Sequence, residues 1–209
     1  MPYPAKTDSQ AILSAAFEQV ESHGIQSMSL RGVAATLGVA PNALYRYFAD
    51  RAALESAIRA EISRRLHDVL KRAVGKKNPA EAIRALATAY LRFAREHRNL
   101  YELLTSPCSP CAEDLPAHQE LWDFVVNQVA LVSNGQHASE AAVALWAHLH
   151  GTAALESVQA FGEQKPIRGV DFGLEAWIQA AASAKPCVTG SSKTSNRSAL
   201  QLSIGSDPG

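Results

Sequence analysis

The chain has 209 residues, 47% of them hydrophobic, with 20 Lys and Arg balanced by 20 Asp and Glu. That is enough apolar material for a sizeable core in one or two domains, and no apolar run approaches the roughly 20 residues that cross a bilayer. The opening MPYPAKTDSQ lacks the apolar centre of a secretion signal, so a cytoplasmic protein without membrane partners is expected.

Neutral overall, the chain is charged unevenly. Residues 1–77 hold 11 Lys and Arg against 7 Asp and Glu, and the remainder holds 9 against 13. The N-terminal third therefore carries a modest positive excess, which suits a polyanionic partner.

The first helix is expected from near Asp8 to His23, opened by a capping box of Thr7 and Gln10 and closed by Gly24. Ile12, Leu13, Ala16, Phe17 and Val20 form its apolar stripe. Next, Ser29 can cap a helix starting at Leu30, with Met28 and Val33 as a hydrophobic staple, and Gly38 can supply the left-handed turn that ends it. Val39 fills the angle that follows, and Pro41 suits the first turn of another helix. Leu44 and Phe48 then face inward, while Asn42, Ala43, Tyr45, Arg46 and Tyr47 face outward.

Two short helices about a glycine turn, the second carrying such side chains, form the pattern of a DNA-binding helix-turn-helix. Asparagine can pair with adenine, arginine with guanine or phosphate, and tyrosine hydroxyls with phosphate. Lys6, Arg31, Arg46 and Arg51 are the expected phosphate-facing cations. Arg59, Arg64, Arg65, Lys71, Arg72, Lys76 and Lys77 read as solvated helix and linker charges.

Asp50 is the expected cap of a long helix to Val74, with Leu54, Ile58, Ile62, Leu66 and Leu70 on one face and Gly75 as its stop. Beyond GKKNP, helical periodicity continues at 79–97, 99–105, 116–133, 138–162 and 171–184, without alternating β-branched runs. The expected fold class is all-α. The expected domains are a helix-turn-helix unit (1–50), a connecting helix and linker (51–78), a ligand-binding and dimerisation domain (79–184) and a disordered Ser- and Gly-rich tail (185–209).

Tyr90, Phe93, Trp122, Phe124, Trp146, His150 and Glu156 combine aromatic surface with a few polar groups, the composition of a small-molecule pocket. His148 and His150 lie two apart and so point in different directions on a helix, against joint metal ligation. No paired carboxylates, nucleophile motif or phosphate-cradling loop is present, so neither catalysis nor a cofactor is expected. One alternative stays open. Cys108 and Cys111 form a CxxC in PCSPC, a spacing that can serve a thiol- or metal-dependent enzyme or sensor, although flanking prolines place it in a loop. A third cysteine, Cys187, leaves too few for a disulfide framework.

The run LRGVAATLGVAPNALYRYF, preceded by a helix ending at Gly24 and followed by an acidic cap with a basic residue, resembles the DNA-binding domain of the tetracycline-repressor (TetR) family over roughly residues 8–70. The resemblance implies DNA contacts from Arg31, Pro41, Asn42, Ala43, Tyr45, Arg46, Tyr47 and Arg51, with Asn42 and Ala43 facing bases. It departs at Ala40, where many relatives carry a capping Ser or Thr. Trp146, His150 and Gly151 further resemble the Trp-x-x-x-His-Gly signature of one type of TetR-family C-terminal domain. What this implies is a repressor that binds a pseudo-palindromic operator as a homodimer, released by a small-molecule effector. The dimer would form through the last two helices, using Leu145, Leu149, Leu174, Trp177 and Ile178.

Overall fold

A computed structural model describes residues 8–106, 115–133, 135, 137–160, 162 and 167–183. Every regular element among them is helical. In chain order these are α1 (Ser9–His23), a 3₁₀ turn (Ile25–Ser27), α2 (Leu30–Leu37), α3 (Pro41–Leu44), α4 (Arg51–Val74), α5 (Pro79–Glu96), α6 (Arg98–Thr105), α7 (Leu115–Val132), α8 (Ala138–Ser157) and α9 (Ile167–Ser183).

Local chemistry sets most of these boundaries. Asp8 opens α1 by accepting from the Ala11 N–H at 2.8 Å, so a carboxylate takes the place of the expected Thr7–Gln10 box. Ser29 accepts from the Gly32 N–H at 3.0 Å, and Gly38 sits in the left-handed region at φ 66°, ψ 29°, ending α2 as its sequence implies. Asp50 accepts from the Ala53 N–H at 2.8 Å to open α4, and Gly75, at φ 54°, closes it. Asn78 caps α5 immediately before Pro79.

One apolar cluster runs through the whole molecule. Leu54, Ile58, Ile62, Leu66 and Leu70 of α4 are all buried in it, together with Ile12, Phe17 and Val20 from α1 and Ile83, Leu86 and Phe93 from α5. Helix α4 packs most extensively on α5 and α7, and also touches α1 and α6. It therefore belongs to the core of both the N-terminal helices and the larger helical body.

Three expectations need correction. Arg59 is not a solvated charge: it is 9% exposed, and its guanidinium donates to the carbonyls of Leu103 and Ser106 and to Ser106 Oγ. The C-terminal carbonyls of a helix have no partners within it, and they carry partial negative charge. A buried cation without a carboxylate is thereby accommodated, and the end of α6 is fastened to α4. Arg65 is likewise more than a surface charge, since its guanidinium lies 3.7 Å above the Phe17 ring of α1 while its Nε donates to Glu61.

The third correction concerns the last two helices. Leu145, Leu149, Leu174 and Ile178 are buried within the chain, and the half-buried Trp177 donates from its indole N–H to the Ala141 carbonyl at 3.0 Å. They join α8 and α9 to each other and to the body. The large apolar side chains left outside there are Val143, Trp146 and Leu155 on α8, Val158 just after it and Phe172 on α9, the last 77% exposed. Helix α8 is apolar nearly all round, so periodicity alone does not tell its inner face from its outer one.

Replacing Arg59 by Met is expected to leave the Leu103 and Ser106 carbonyls unpaired and to lower stability by about 1–3 kcal/mol. Urea unfolding of the Arg59→Met protein measures this, and an unchanged midpoint would show that the tie contributes nothing.

Candidate nucleic-acid interface

The segment after Gly38 departs from a long, regular second helix. Regular α-helix spans only Pro41–Leu44, Ala40 provides no side-chain cap, and the chain continues through turns to Phe48. Tyr47 N–H and Phe48 N–H both donate to the Leu44 carbonyl, at 2.9 and 3.0 Å. Fully buried Leu44 and the partly buried Phe48 and Val39 anchor this segment to the core. Pro41, Asn42 and Arg46 are exposed, Ala43 is intermediate, and Tyr45 and Tyr47 are 52% and 41% exposed. Arg31 on α2 is exposed as well. Polar hydrogen-bonding side chains on a short segment anchored by Leu44, flanked by cations, can read base edges and grip phosphates.

Arg51 stands apart from that group. Its Nε donates to Glu55 at 2.6 Å and its Nη2 to the Ile25 carbonyl at 2.7 Å. The side chain thus fastens the start of α4 to the turn after α1, and any phosphate contact would fall to its remaining N–H groups.

The expected ligand residues do not form one pocket. Tyr90 and His150 come together with Tyr101, which the sequence reading passed over: the two tyrosine hydroxyls lie 2.9 Å apart, and Tyr101 Oη lies 2.6 Å from His150 Nδ1. Trp146 packs on His150 with ring centroids 5.8 Å apart. The i, i+4 spacing of Trp146 and His150 was legible, but nothing local marked Tyr101 as their partner. Phe93 lies elsewhere, against His97 at 4.9 Å, and Phe124 pairs with His67 on α4. Trp122 is partly buried against the core. Glu156 is held by Arg95 of α5 through two contacts at 2.7 and 2.8 Å, so it braces α8 and is not part of the tyrosine cluster.

Burial, reinforced by Tyr101, pushes the Tyr90 hydroxyl well above the ordinary phenol value, against a lesser opposing pull from Trp146. Burial also raises Tyr101, while its hydrogen bond with Tyr90 works the other way. Both hydroxyls thus stay protonated as hydrogen-bonding groups. No group of three or more His, Cys, Asp or Glu among the described residues is placed to hold a metal ion. Cys108, Cys111 and Cys187 lie outside the described residues. No helix among the described residues is long and apolar enough to cross a membrane.

A three-helix head bearing a projecting turn-helix segment, carried by a helical body, defines a helix-turn-helix DNA-binding regulator. Residues 12–58 match the family of bacterial regulatory proteins of the tetR type, and residues 83–176 match the tetracyclin repressor-like C-terminal domain. The chain belongs to the TetR family of transcriptional regulators, which are DNA-binding proteins and not enzymes.

Among curated proteins it is 25% identical over 178 residues to the uncharacterized HTH-type transcriptional regulator YobS of Bacillus subtilis (strain 168), covering 80% of this chain and 88% of that one. A solved structure of a protein of unknown function from Rhodococcus sp. RHA1 is 26% identical, with a TM-score of 0.74 over 87% of this chain and 100% of that one. A TetR variant from Acinetobacter baumannii AYE, solved in complex with minocycline, shares the fold at 19% identity, with a TM-score of 0.60 over 84% of this chain and 96% of that one.

The raised tyrosines give a pH prediction. Below about pH 10 both hydroxyls keep their protons whether folded or not, so the contribution is intact. Above it the unfolded chain releases protons that the folded chain retains, and stability falls. Urea midpoints of the native protein are expected to drop as pH rises beyond that point, and Tyr90→Phe is expected to make the drop shallower; parallel curves would contradict the assignment.

Proposed function

We propose that this regulator is a ligand-responsive repressor that binds a pseudo-palindromic operator as a homodimer. The observation that carries the reading is the outward display of Asn42, Tyr45, Arg46 and Tyr47 on a segment anchored by buried Leu44. Asn42 and Ala43 would face bases, Pro41 would set the segment's start, and Tyr45, Arg46, Tyr47, Arg31 and the uncommitted part of Arg51 would meet phosphates or groove edges. A two-fold dimer would hold two such segments about one helical turn of DNA, roughly 34 Å, or a multiple of it apart.

The second chain is argued from the outer faces of α8 and α9. Phe172 and Val158 are 77% and 70% exposed, and Val143 and Leu155 of α8 are also exposed. Exposed apolar side chains on the last two helices are favourable to cover with a second copy of the chain.

The effector would act at the body, where Tyr90, Tyr101, Trp146 and His150 combine aromatic surface with hydrogen-bonding groups. That a fold relative holds minocycline supports the capacity of this architecture for small molecules. An effector shifts the equilibrium only by binding better to one spacing of the heads than to the other, so release follows from differential affinity.

Selection of bound fragments from the source genome, followed by gel shift at stated salt, tests DNA binding; affinity no greater than for random sequence would refute it. On a selected operator, Arg46→Ala is expected to weaken binding to all sequences and reduce the salt slope by about one ion, whereas Asn42→Ala alters preference at particular bases. Phe172→Glu is expected to shift the protein from dimer to monomer in sedimentation equilibrium while leaving its helical circular dichroism intact. A dimer that survives the change unweakened would move the interface elsewhere.

A further inference from the structure

A cleft of about 250 Å³ opens between α4 and the corner where α5 passes into α6, on the side of the body that faces α1. It is separate from the tyrosine cluster, which joins α5 and α6 to α8. Val69, Phe93 and Leu100 make its apolar part, the latter two buried. Its lining also includes two guanidiniums, Arg65 and Arg72, about two turns apart on α4, against a single carboxylate, Asp68.

These cations are available. Arg72 makes no hydrogen bond or ion pair among the described residues. Arg65 commits its Nε to Glu61 and its face to Phe17, leaving its Nη groups without a partner there. A planar guanidinium beside an apolar floor favours a carboxylate attached to a hydrophobic body. Size narrows the class further: a cavity of about 150 Å³ accepts benzene, while drug-sized ligands use about 300 Å³ or more. The tilted Phe93–His97 ring pair, with centroids 4.9 Å apart, adds an aromatic wall.

The same wall holds the DNA-binding head. His97 Nδ1 donates to the Glu21 carboxylate of α1 at 2.6 Å, and Asn99, two residues on, donates to the Glu21 carbonyl at 2.9 Å. An anion in the cleft competes with Glu21 for His97 and draws Arg65 away from Phe17. We propose that the cleft binds a small single-ring carboxylate and that its occupancy loosens the attachment of α1 to the body, making this a second, junctional control point. The binding claim stands independently of the repressor reading; only the effect on DNA affinity rests on it.

Calorimetric titration of the full-length protein with benzoate tests the binding claim, with benzyl alcohol and acetate as probes lacking the charge and the ring. Benzoate is expected to saturate one site per chain, and both other probes to bind about tenfold more weakly or worse. Arg72→Gln, a change at an exposed position, is expected to weaken benzoate by about tenfold, the measure of one charge-assisted pair. Benzoate binding no tighter than benzyl alcohol, or unaffected by Arg72→Gln, overturns the site. For the coupling, benzoate is expected to weaken operator binding by the native protein but not by Glu21→Gln; equal weakening of both would overturn the His97–Glu21 route while leaving the site itself intact.

Discussion

The buried stripe of α4 is the constraint on which the rest of the molecule depends. Leu54, Ile58, Ile62, Leu66 and Leu70 are each withdrawn almost completely from water, and burying one such side chain is worth about 1.5–3 kcal/mol. Because the stripe packs against α1 at one side and against α5 and α7 at others, no section of α4 can move without repacking part of a shared core. Head and body are mechanically one object, joined by apolar contact and not by a flexible tether.

Polar ties then decide which parts of that object move together. The buried Arg59 guanidinium joins α4 to the end of α6, Arg51 joins the start of α4 to the turn after α1, and His97 and Asn99 join the α5–α6 corner to the end of α1. Exposed bidentate pairs, Arg84–Glu175 and Arg95–Glu156, brace α5 against α9 and α8. Such surface pairs contribute little by themselves, because water screens them. Their value is positional: they set how α8 and α9 sit on the body, while the ties of Arg59 and His97 set how the body meets the head.

Most of the architecture was legible because it is encoded locally. Ser29, Gly38, Asp50 and Gly75 are capping signals whose effect depends on a few neighbouring residues, and the five-residue stripe of α4 has the helical period over its whole length. What escaped the reading depends on contacts distant in sequence. Arg59 looks like any helix-surface arginine until the Leu103 carbonyl, 44 residues away, is brought to it. Tyr101 acquires its role from Tyr90 and His150, and Phe93, although only one turn from Tyr90 on α5, packs against His97 instead. The outward face of α8 was misplaced for the same reason: an apolar helix with two apolar sides gives no periodic cue to which one its own chain covers. The short α3 shows a further limit, since regular helix stops at Leu44 although the outward residues the sequence marks continue to Tyr47.

Helix α4 also acts as a lever of calculable reach. Its 24 residues span about 36 Å at a rise of about 1.5 Å each. A rotation of only about 5° at the end embedded in the body displaces the other by about 3 Å, close to the stacking distance between successive base pairs, about 3.4 Å. Adjustments within the thermal compliance of packed helices are therefore magnified, at the far tip, into a full step along the double helix.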